Sequence, residues 1–331
     1  MGIGLLLVLL LVLGAEFTNG LTDAANAIAT VIGTRVLSPM KAVIMAAVLN
    51  MAGVLVTGTA VAATIGQDIV RPEVISLETV AAAMLTVVVW TTAAWFFGIP
   101  TSETHELLAG LAGAGLATAG PSVLLWEGWR KVIIGLGMST LLGFGLAFVF
   151  MLVIYWLFRK ARRATVSRTF GRMQILSAGF MAFSHGSNDG QKFMGVFSLA
   201  LFLGGVLPTF QVPLWVVLLC GFVMAMGTGL GGWRIIKTMG VKITRLEPVN
   251  GFAAETAAST AILLASRFGI PLSTTHTIGT AIMGVGSTRR MRAVNWGVSR
   301  QIATTWLVTF PACLILGFVF TWLFKLIFAV F

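Results

Sequence analysis

The sequence is short of charged residues. Only 10% of its 331 residues are Asp, Glu, Lys or Arg, whereas 57% are hydrophobic and the mean hydropathy is +0.96. A soluble domain carries about 25% charged residues, so this chain lacks the surface that water requires. Composition therefore excludes a soluble protein and predicts an all-α polytopic membrane protein, in which the 38 glycines allow close helix packing in lipid.

Cysteine is also scarce. Cys220 and Cys313 lie far apart in apolar segments, which argues against a disulfide framework and against a zinc site. The leucine-rich stretch that follows Met1 lacks the basic start of a signal peptide. We expect this stretch to be a retained membrane helix.

Acidic residues are outnumbered, since 22 basic and 11 acidic residues leave a net charge of +11. Most of the basic residues fall in four clusters, which the positive-inside rule places in the cytoplasm. The expected neighbours are therefore lipid headgroups of the bilayer, and not nucleic acid. The clusters are Arg35–Lys41, Arg159–Arg172, Arg234–Arg245 and Arg289–Arg300.

The clusters and the apolar runs together predict a topology in the cell membrane. The chain divides into a first repeat (1–158), a basic cytoplasmic connector (159–172) and a second repeat (173–331). Both termini are expected outside. The expected spans are 3–34, 42–65, 132–158, 173–205, 214–232 and 301–327, with a hairpin between spans in each repeat.

Two polar breaks of one design interrupt the apolar sequence. Gly98–His105 reads Gly-Ile-Pro-Thr-Ser-Glu-Thr-His, and Gly269–His276 reads Gly-Ile-Pro-Leu-Ser-Thr-Thr-His. Irregular backbone inside a bilayer is tolerated only where protein buries it or where it lines a wet cavity. We therefore predict that these segments are the tips of two re-entrant helical hairpins, which meet at a solute site.

A second pair of motifs repeats in the same way. Asn19–Asp23 aligns with His185–Asp189 at an offset of 166 residues, and the hairpin tips align at an offset of 171. Matching motifs with opposite sidedness predict two inverted-topology repeats, a common design of secondary transporters. Each repeat is expected to contain a broken membrane helix, interrupted at 16–23 and at 184–192.

Six carboxylates are predicted to lie at membrane depth, where a charge costs about 3 kcal/mol on insertion scales. Such groups mark an ion path, form a salt bridge or are held protonated. Asp23 and Asp189 occupy matching places in the two repeats, which favours a role in transport. The six are Glu16, Asp23, Glu103, Glu106, Asp189 and Glu255.

All three histidines, His105, His185 and His276, lie in these motifs. They could position a hairpin tip, relay protons or bind a transition metal. With one histidine on each of three elements, the spacing gives no support to a metal site. A positioning role is favoured.

Hydroxyl residues follow each hairpin proline, at the predicted start of a returning helix. Helix N-termini present unpaired N–H groups and a dipole that favour an anion. Two facing tips would thus form a site for a tetrahedral oxyanion, although a serine that merely caps its helix is the alternative at either tip. Carboxylates and amides around Asp23 and Asp189 suit a hard cation such as Na⁺.

Together these motifs resemble those of the inorganic phosphate transporter (PiT) family, which includes bacterial Pit permeases and animal sodium–phosphate symporters. The resemblance covers nearly the whole chain. It rests on Asn19–Ala27, on Phe183–Lys192, on both Gly-Ile-Pro hairpins and on Gly227–Arg234.

The resemblance implies co-transport of phosphate with Na⁺ or H⁺, no bound cofactor and a homodimer. It also implies that hydroxyls and an amide bind phosphate, while a cation binds beside the two aspartates. The implied phosphate ligands are Ser102, Thr104, Asn188, Ser273, Thr274 and Thr275. The implied cation ligands are Thr22, Asp23, Asn26 and Asp189, with Asp23 and Asp189 as candidate sodium ligands.

Two residues depart from the family pattern. Thr22 stands where the signature has Asn, and Glu103 stands where the first hairpin usually has a small hydroxyl residue. A carboxylate there would repel phosphate unless a proton or a cation neutralised it. Lys192, which matches Asn26 of the first half, could supply compensating charge. The candidates for charge tuning or coupling are Glu103, Lys192, His105, His185, His276 and Glu255.

The functional hypothesis is a secondary transporter, not an enzyme, that imports inorganic phosphate by cation symport. Sulfate or a metal–phosphate complex is the alternative substrate. An intramembrane metal-dependent hydrolase that uses the histidines and a passive channel are alternatives of other classes. We expect the Gly269–His276 tip to grip the anion and the Gly98–His105 tip to adjust its charge.

Overall fold

Helices form the architecture. The computed structural model describes residues 2–330, with side chains to residue 326, and this range contains thirteen α-helices, two isolated β-bridges and no β-strand. The first half has α1 (Ile3–Gly33), α2 (Pro39–Val56), α3 (Ala60–Ala63), α4 (Leu77–Phe97), α5 (Glu103–Ala119) and α6 (Trp126–Leu157). The second half has α7 (Arg163–His185), α8 (Gln191–Leu203), α9 (Leu214–Leu230), α10 (Trp233–Lys237), α11 (Pro248–Arg267), α12 (Thr274–Ser287) and α13 (Trp296–Val330).

Several helices have the length and composition of membrane spans. Within the described range these are α1, α2, α4, α6 and α13, and α9 with the bent segment Trp233–Lys242 is a sixth candidate. A span needs about 20 apolar residues, and these helices supply them. The prediction of an all-helical integral membrane protein is confirmed.

The Gly-Ile-Pro segments join helices into two hairpins, α4–α5 and α11–α12. Gly98 and Gly269 end the first arms with φ values of 67° and 66°, a left-handed conformation that glycine adopts without a steric penalty. The proline that follows cannot continue the helix. Ser102 and Ser273 then cap the returning arms, because their hydroxyls accept the N–H groups of His105 and His276 at 3.3 and 3.2 Å.

The returning arm of each hairpin packs against the last long helix of the other half. Helix α5 lies against α13, and α12 lies against α6. The same exchange holds earlier in the chain, where α1 packs on α9 and α7 packs on α2. The two halves therefore share their packing surfaces, and this interlocking brings both hairpin tips to one place.

The prediction that residues 16–23 break the first membrane helix is wrong, because α1 is continuous. Gly20 allows close packing here and does not unwind the helix. A Cβ at Gly20 would lie 2.2 Å from the carbonyl oxygen of Met224 in α9. The matching motif of the second half is distorted but not unwound, since a π-helical turn, Gly186–Gly190, joins α7 to α8. Such turns are frequent at functional sites.

The predicted connector, 159–172, is shorter than expected. Helix α7 begins at Arg163, so only residues 158–162 separate it from α6. Glu247, at the N-cap of α11, holds this end through Arg163 at 3.0 Å and Arg289 at 2.7 Å. The hydrogen bond from Arg289 lowers the pKa of Glu247. The ion pairs tether the start of α7 to the second hairpin.

Local features recur in the same order in both halves. Each half has a π-helical turn that precedes an isolated β-bridge, Val70 with Leu124 and Thr244 with Val294. These pairs support the predicted duplication. The opposite orientation of the repeats, the re-entrant path of the hairpins and the domain boundaries stay predictions.

Glycine at the α2–α7 crossing generates a stability prediction. A Cβ at Gly53 would lie 2.0 Å from the carbonyl oxygen of Phe183, so Gly53→Ala forces two backbones apart. We expect a loss of about 1–3 kcal/mol, typical of overpacking, measured as a lower melting temperature in detergent. Gly145→Ala in α6 is the matched control, because no atom of the described residues outside its own helical surroundings lies within 4 Å of its Cβ position. Equal melting temperatures for the two variants would contradict the predicted crossing.

Candidate functional site

The two hairpin tips meet at their capping serines. Ser102 Oγ lies 2.8 Å from Ser273 Oγ, and both side chains are buried. The backbone N–H of Ser273 also donates to Ser139 Oγ of α6 at 3.1 Å. The N-termini of α5 and α12, each longer than three turns, thus converge on one point, where their dipoles favour negative charge.

Threonines next to the serines connect the tips to each other and to the neighbouring helices. Thr104 Oγ1 donates to the carbonyl oxygen of Leu272 at 2.8 Å, which ties the first returning arm to the second tip. Thr274 Oγ1 donates to Asp189 Oδ2 at 2.7 Å. Asn26 Nδ2 donates to Thr274 Oγ1 at 3.2 Å and to Thr275 Oγ1 at 2.9 Å. Five of the six predicted phosphate ligands therefore lie together.

Each tip also receives a threonine from a π-helical turn of the opposite half. Thr64 Oγ1 donates to the carbonyl oxygen of Gly269 at 2.9 Å. Thr238 Oγ1 donates to the carbonyl oxygen of Gly98 at 3.2 Å. Each carbonyl lies at the end of the first arm of its hairpin. Because a threonine hydroxyl pairs with it, the bend is stable at membrane depth.

Asn188, the sixth predicted phosphate ligand, contacts the end of the first arm and the start of the tip of the second hairpin. Its Nδ2 donates to Ser266 Oγ at 2.9 Å and to the carbonyl oxygen of Ile270 at 3.4 Å. Asn188 Oδ1 is buried and has no hydrogen-bond partner within the described range. The amide therefore braces the first arm, and does not join the serines at the tip.

Asp23 and Asp189 lie next to each other and next to the second tip. Atoms of Asp23, Asp189 and His185 that can bind a metal lie within 4.8 Å of one another. Asp189 is strongly engaged, because it accepts from Thr274 and from Lys192, and His185 Nε2 lies 3.2 Å away. Asp23 is less engaged. Its Oδ1 accepts from Thr275 at 3.5 Å, while its buried Oδ2 has no partner among the described side chains.

Lys192 balances the charge of Asp189 and also reaches both hairpins. Its Nζ donates to Asp189 Oδ1, to Thr104 Oγ1 at 2.6 Å and to the carbonyl oxygen of Leu272 at 3.1 Å. The sequence analysis suggested that Lys192 compensates the charge of Glu103, and the structure pairs its ammonium with Asp189, at the contact between the tips.

The two residues that depart from the family pattern contact each other. Thr22 Oγ1 donates to Glu103 Oε1 at 3.3 Å. Thr91 of α4 lies 3.2 Å from the same oxygen and also donates to Glu106. The Glu103 carboxylate therefore faces α1 and α4, which makes Thr22 a partner of Glu103 in this structure.

The remaining candidates are the three histidines and Glu255, which do not all lie at one place. The rings of His105 and His276 meet edge to face with centroids 4.6 Å apart, and the ring centroid of His276 lies 3.8 Å from that of Trp306. His185 lies instead beside Asp189 and is also hydrogen-bonded to Asn50 at 3.2 Å, so the three histidines do not share one site. The residues that contact Glu255 lie away from the tips.

Glu255 accepts hydrogen bonds from three buried residues of α1 and α7. These are Thr30, Gln174 and Ser177. None of them is a predicted ligand. Glu255 therefore lies away from the tips, and its role in charge tuning or coupling stays a prediction.

Several residues of the site were missed by the sequence reasoning. Ser139, Thr91, Thr64 and Thr238 lie in apolar helices or short turns, and none of them belongs to a motif that the sequence analysis used. Their polarity within a membrane segment was the available signal. It is weak, since hydroxyls often bond to their own helix backbone.

Comparison with known proteins settles the family. The model of the phosphate transporter family matches residues 19–317. The chain belongs to this family. It is 44% identical to a probable low-affinity inorganic phosphate transporter of Rhizobium meliloti over 303 residues, 91% of each chain. It is 38% identical to a protein of the same description from Bacillus subtilis over 326 residues, 98% of each chain.

A solved structure described as "the sodium-dependent phosphate transporter" has the same fold. It superposes with a TM-score of 0.89 at 25% sequence identity, and the match covers 98% of this chain and 100% of that one. The predicted resemblance is confirmed, and the family is one of transporters and not of enzymes.

The link between the tips generates a prediction for phosphate uptake by this family member. Thr104→Val removes the acceptor of Lys192 Nζ and the donor to Leu272. A buried polar group that loses its partner costs about 1–3 kcal/mol, so uptake into proteoliposomes should fall about tenfold or more. Thr104→Ser keeps the hydroxyl and should stay within about threefold of the wild type, since 1.4 kcal/mol corresponds to about tenfold. Equal loss in both variants would show that the hydroxyl is not the essential group.

Proposed function

We propose that this phosphate transporter imports inorganic phosphate by symport with a cation, Na⁺ or H⁺, and binds the anion between the two hairpin tips. The observation that carries the proposal is the 2.8 Å contact between Ser102 Oγ and Ser273 Oγ at two converging helix N-termini. A tetrahedral anion that enters between the tips would replace this one bond with hydrogen bonds to both hydroxyls. The N–H groups of both first turns would add donors.

The charges around the tips are the reason for proposing that a cation is transported with phosphate. Asp23, Asp189 and Glu103 are buried near this point, while Lys192 provides one positive charge. Two unit charges 4 Å apart interact by about 4 kcal/mol at an effective dielectric constant of 20. Phosphate would therefore bind poorly beside the carboxylates unless a cation or a proton bound with it. Mutual stabilisation of two ligands is the thermodynamic basis of their coupling.

Asp23 is the proposed ligand of the mobile cation. Its unpartnered, buried Oδ2 is a free acceptor, and Asn26 and Thr275 lie beside it. The related solved structure is described as sodium-dependent, which supports Na⁺ as one candidate. A proton on the same carboxylate is the other.

The two tips have different roles in this proposal. The second tip is bonded to Asp23, Asn26 and Asp189 through Thr274 and Thr275, so it couples the anion to the cation. The first tip carries Glu103, which adjusts the charge of the site. We also propose that the protein is a homodimer in the cell membrane with both termini outside.

Separate gradients test the symport. Liposomes containing the purified protein should concentrate labelled phosphate under an inward Na⁺ gradient, an inward proton gradient, or both, because the coupled cation supplies the driving force. An ionophore that collapses the gradient should abolish accumulation. Uptake that only equilibrates would show a passive channel, and no uptake under either gradient would refute the proposed transport.

Loss of a tip hydroxyl tests the anion site. Ser273→Ala removes both an N-cap, worth about 1 kcal/mol, and a proposed phosphate donor, so uptake per reconstituted protein should fall more than about tenfold. Ser198→Ala is the matched control. Ser198 is equally buried in α8, but its hydroxyl has no partner among the described residues. Uptake at the control level in Ser273→Ala would place the anion elsewhere.

A further inference from the structure

Lys192 has the surroundings of a bound cation. The side chain is fully buried in α8, and its three ammonium protons meet three oxygens. These are a carboxylate of Asp189, the hydroxyl of Thr104 and the main-chain carbonyl of Leu272. Carboxylate, hydroxyl and carbonyl oxygens are the ligands that a hard cation takes in proteins.

The three oxygens come from three different elements. Asp189 lies in the π-helical turn, Thr104 begins α5, and Leu272 precedes α12. Thr104 already donates to the Leu272 carbonyl, and a positive charge at the meeting point adds the Asp189 carboxylate, since all three groups are acceptors toward that charge. The ammonium of Lys192 is covalently attached to α8. It thus bridges the two hairpins and Asp189 as a free ion would.

The first half lacks this tether. The residue that matches Lys192 at the 166-residue offset is Asn26, a neutral amide. Asn26 donates to Thr274 and Thr275, and leaves Asp23 Oδ2 without a partner within the described range. Two neighbouring aspartates in matching places therefore differ in their lysine partner: an ammonium of the chain is fixed at Asp189, and none of the described lysines pairs with Asp23.

We infer that the Lys192 ammonium permanently occupies the place of a transported cation at Asp189. This inference rests on the proposed symport and narrows it. The Asp189 position neither takes up nor releases Na⁺ during transport, and exchangeable cation binds only at the Asp23 side. Lys192→Asn, which restores the residue of the first half, opens a sodium position between Asp189, Thr104 and Leu272.

The test counts ²²Na⁺ bound per purified chain in detergent. Lys192→Asn should bind one more Na⁺ than the wild type, and the double variant Lys192→Asn with Asp189→Asn should lose that extra ion. Lys41→Asn is the matched control, because it removes an exposed lysine at the start of α2 and should bind as the wild type does. No gain in Lys192→Asn, or a gain that survives in the double variant, would overturn the inference.

A second measurement covers the case in which Lys192→Asn does not fold. Asp189→Asn alone should leave the number of bound Na⁺ ions unchanged, since Lys192 already fills that place. Loss of a Na⁺ ion in this variant would show that the wild type binds Na⁺ at Asp189, and would overturn the inference. Failure of the proposed function is a separate result, because it is read from phosphate accumulation by the wild type and not from the sodium count.

Discussion

The structure depends on one constraint, which is that backbone groups at a helix bend cannot be left unpaired at membrane depth. Each hairpin tip ends one helix and begins another, so it exposes both carbonyl and N–H groups. The capping serines satisfy N–H groups within each tip. The carbonyls of Gly98 and Gly269 are satisfied by threonines from the opposite half. Neither bend is therefore complete without the other half of the chain.

This mutual completion explains why the tips lie together. The threonines that cap the glycine carbonyls sit on π-helical turns, and those turns are held by helices that cross at glycines with their backbones nearly touching. Close crossing of backbones is the usual way in which membrane helices associate without a hydrophobic driving force between them. Packing at the glycines and hydrogen bonding at the tips thus support the same arrangement.

The two halves pack in a similar way, but the charges around their hairpin tips differ. Around the second tip, Asp189 is neutralised by Lys192, and the threonines connect this pair to Asp23. Around the first tip, Glu103 is turned toward Thr22 and Thr91 and has no basic partner in its hydrogen bonds. A duplicated backbone therefore carries two different electrostatic halves. Transport of an anion with a cation needs such a difference, because one ligand must lower the free energy of binding the other.

The sequence alone predicts much of this site, for a physical reason. A proline break followed by hydroxyls is recognisable wherever it occurs, and its repetition predicts that Ser102 and Ser273 belong together. The helix break at 16–23 was wrongly predicted because glycine beside polar residues, as at Gly20, is equally compatible with an unwound helix and with a close crossing. Only the position of α9 distinguishes the two. Sequence spacing shows that residues share a helix, but not toward which neighbour the helix turns them.

That limit explains why the contacts of Asn188 and Glu255 were not predicted and why Lys192 could be only partly understood. A lysine in an apolar segment indicates a buried charge with a partner nearby, and Asp189 three residues earlier supplies one partner on the same helical face. The other two partners, Thr104 and Leu272, are 88 and 80 residues away along the chain. They reach Lys192 only because both hairpins converge. The Lys192 ammonium is a fixed charge that connects two bends and an aspartate. This role follows from the fold and could not be predicted from the motif.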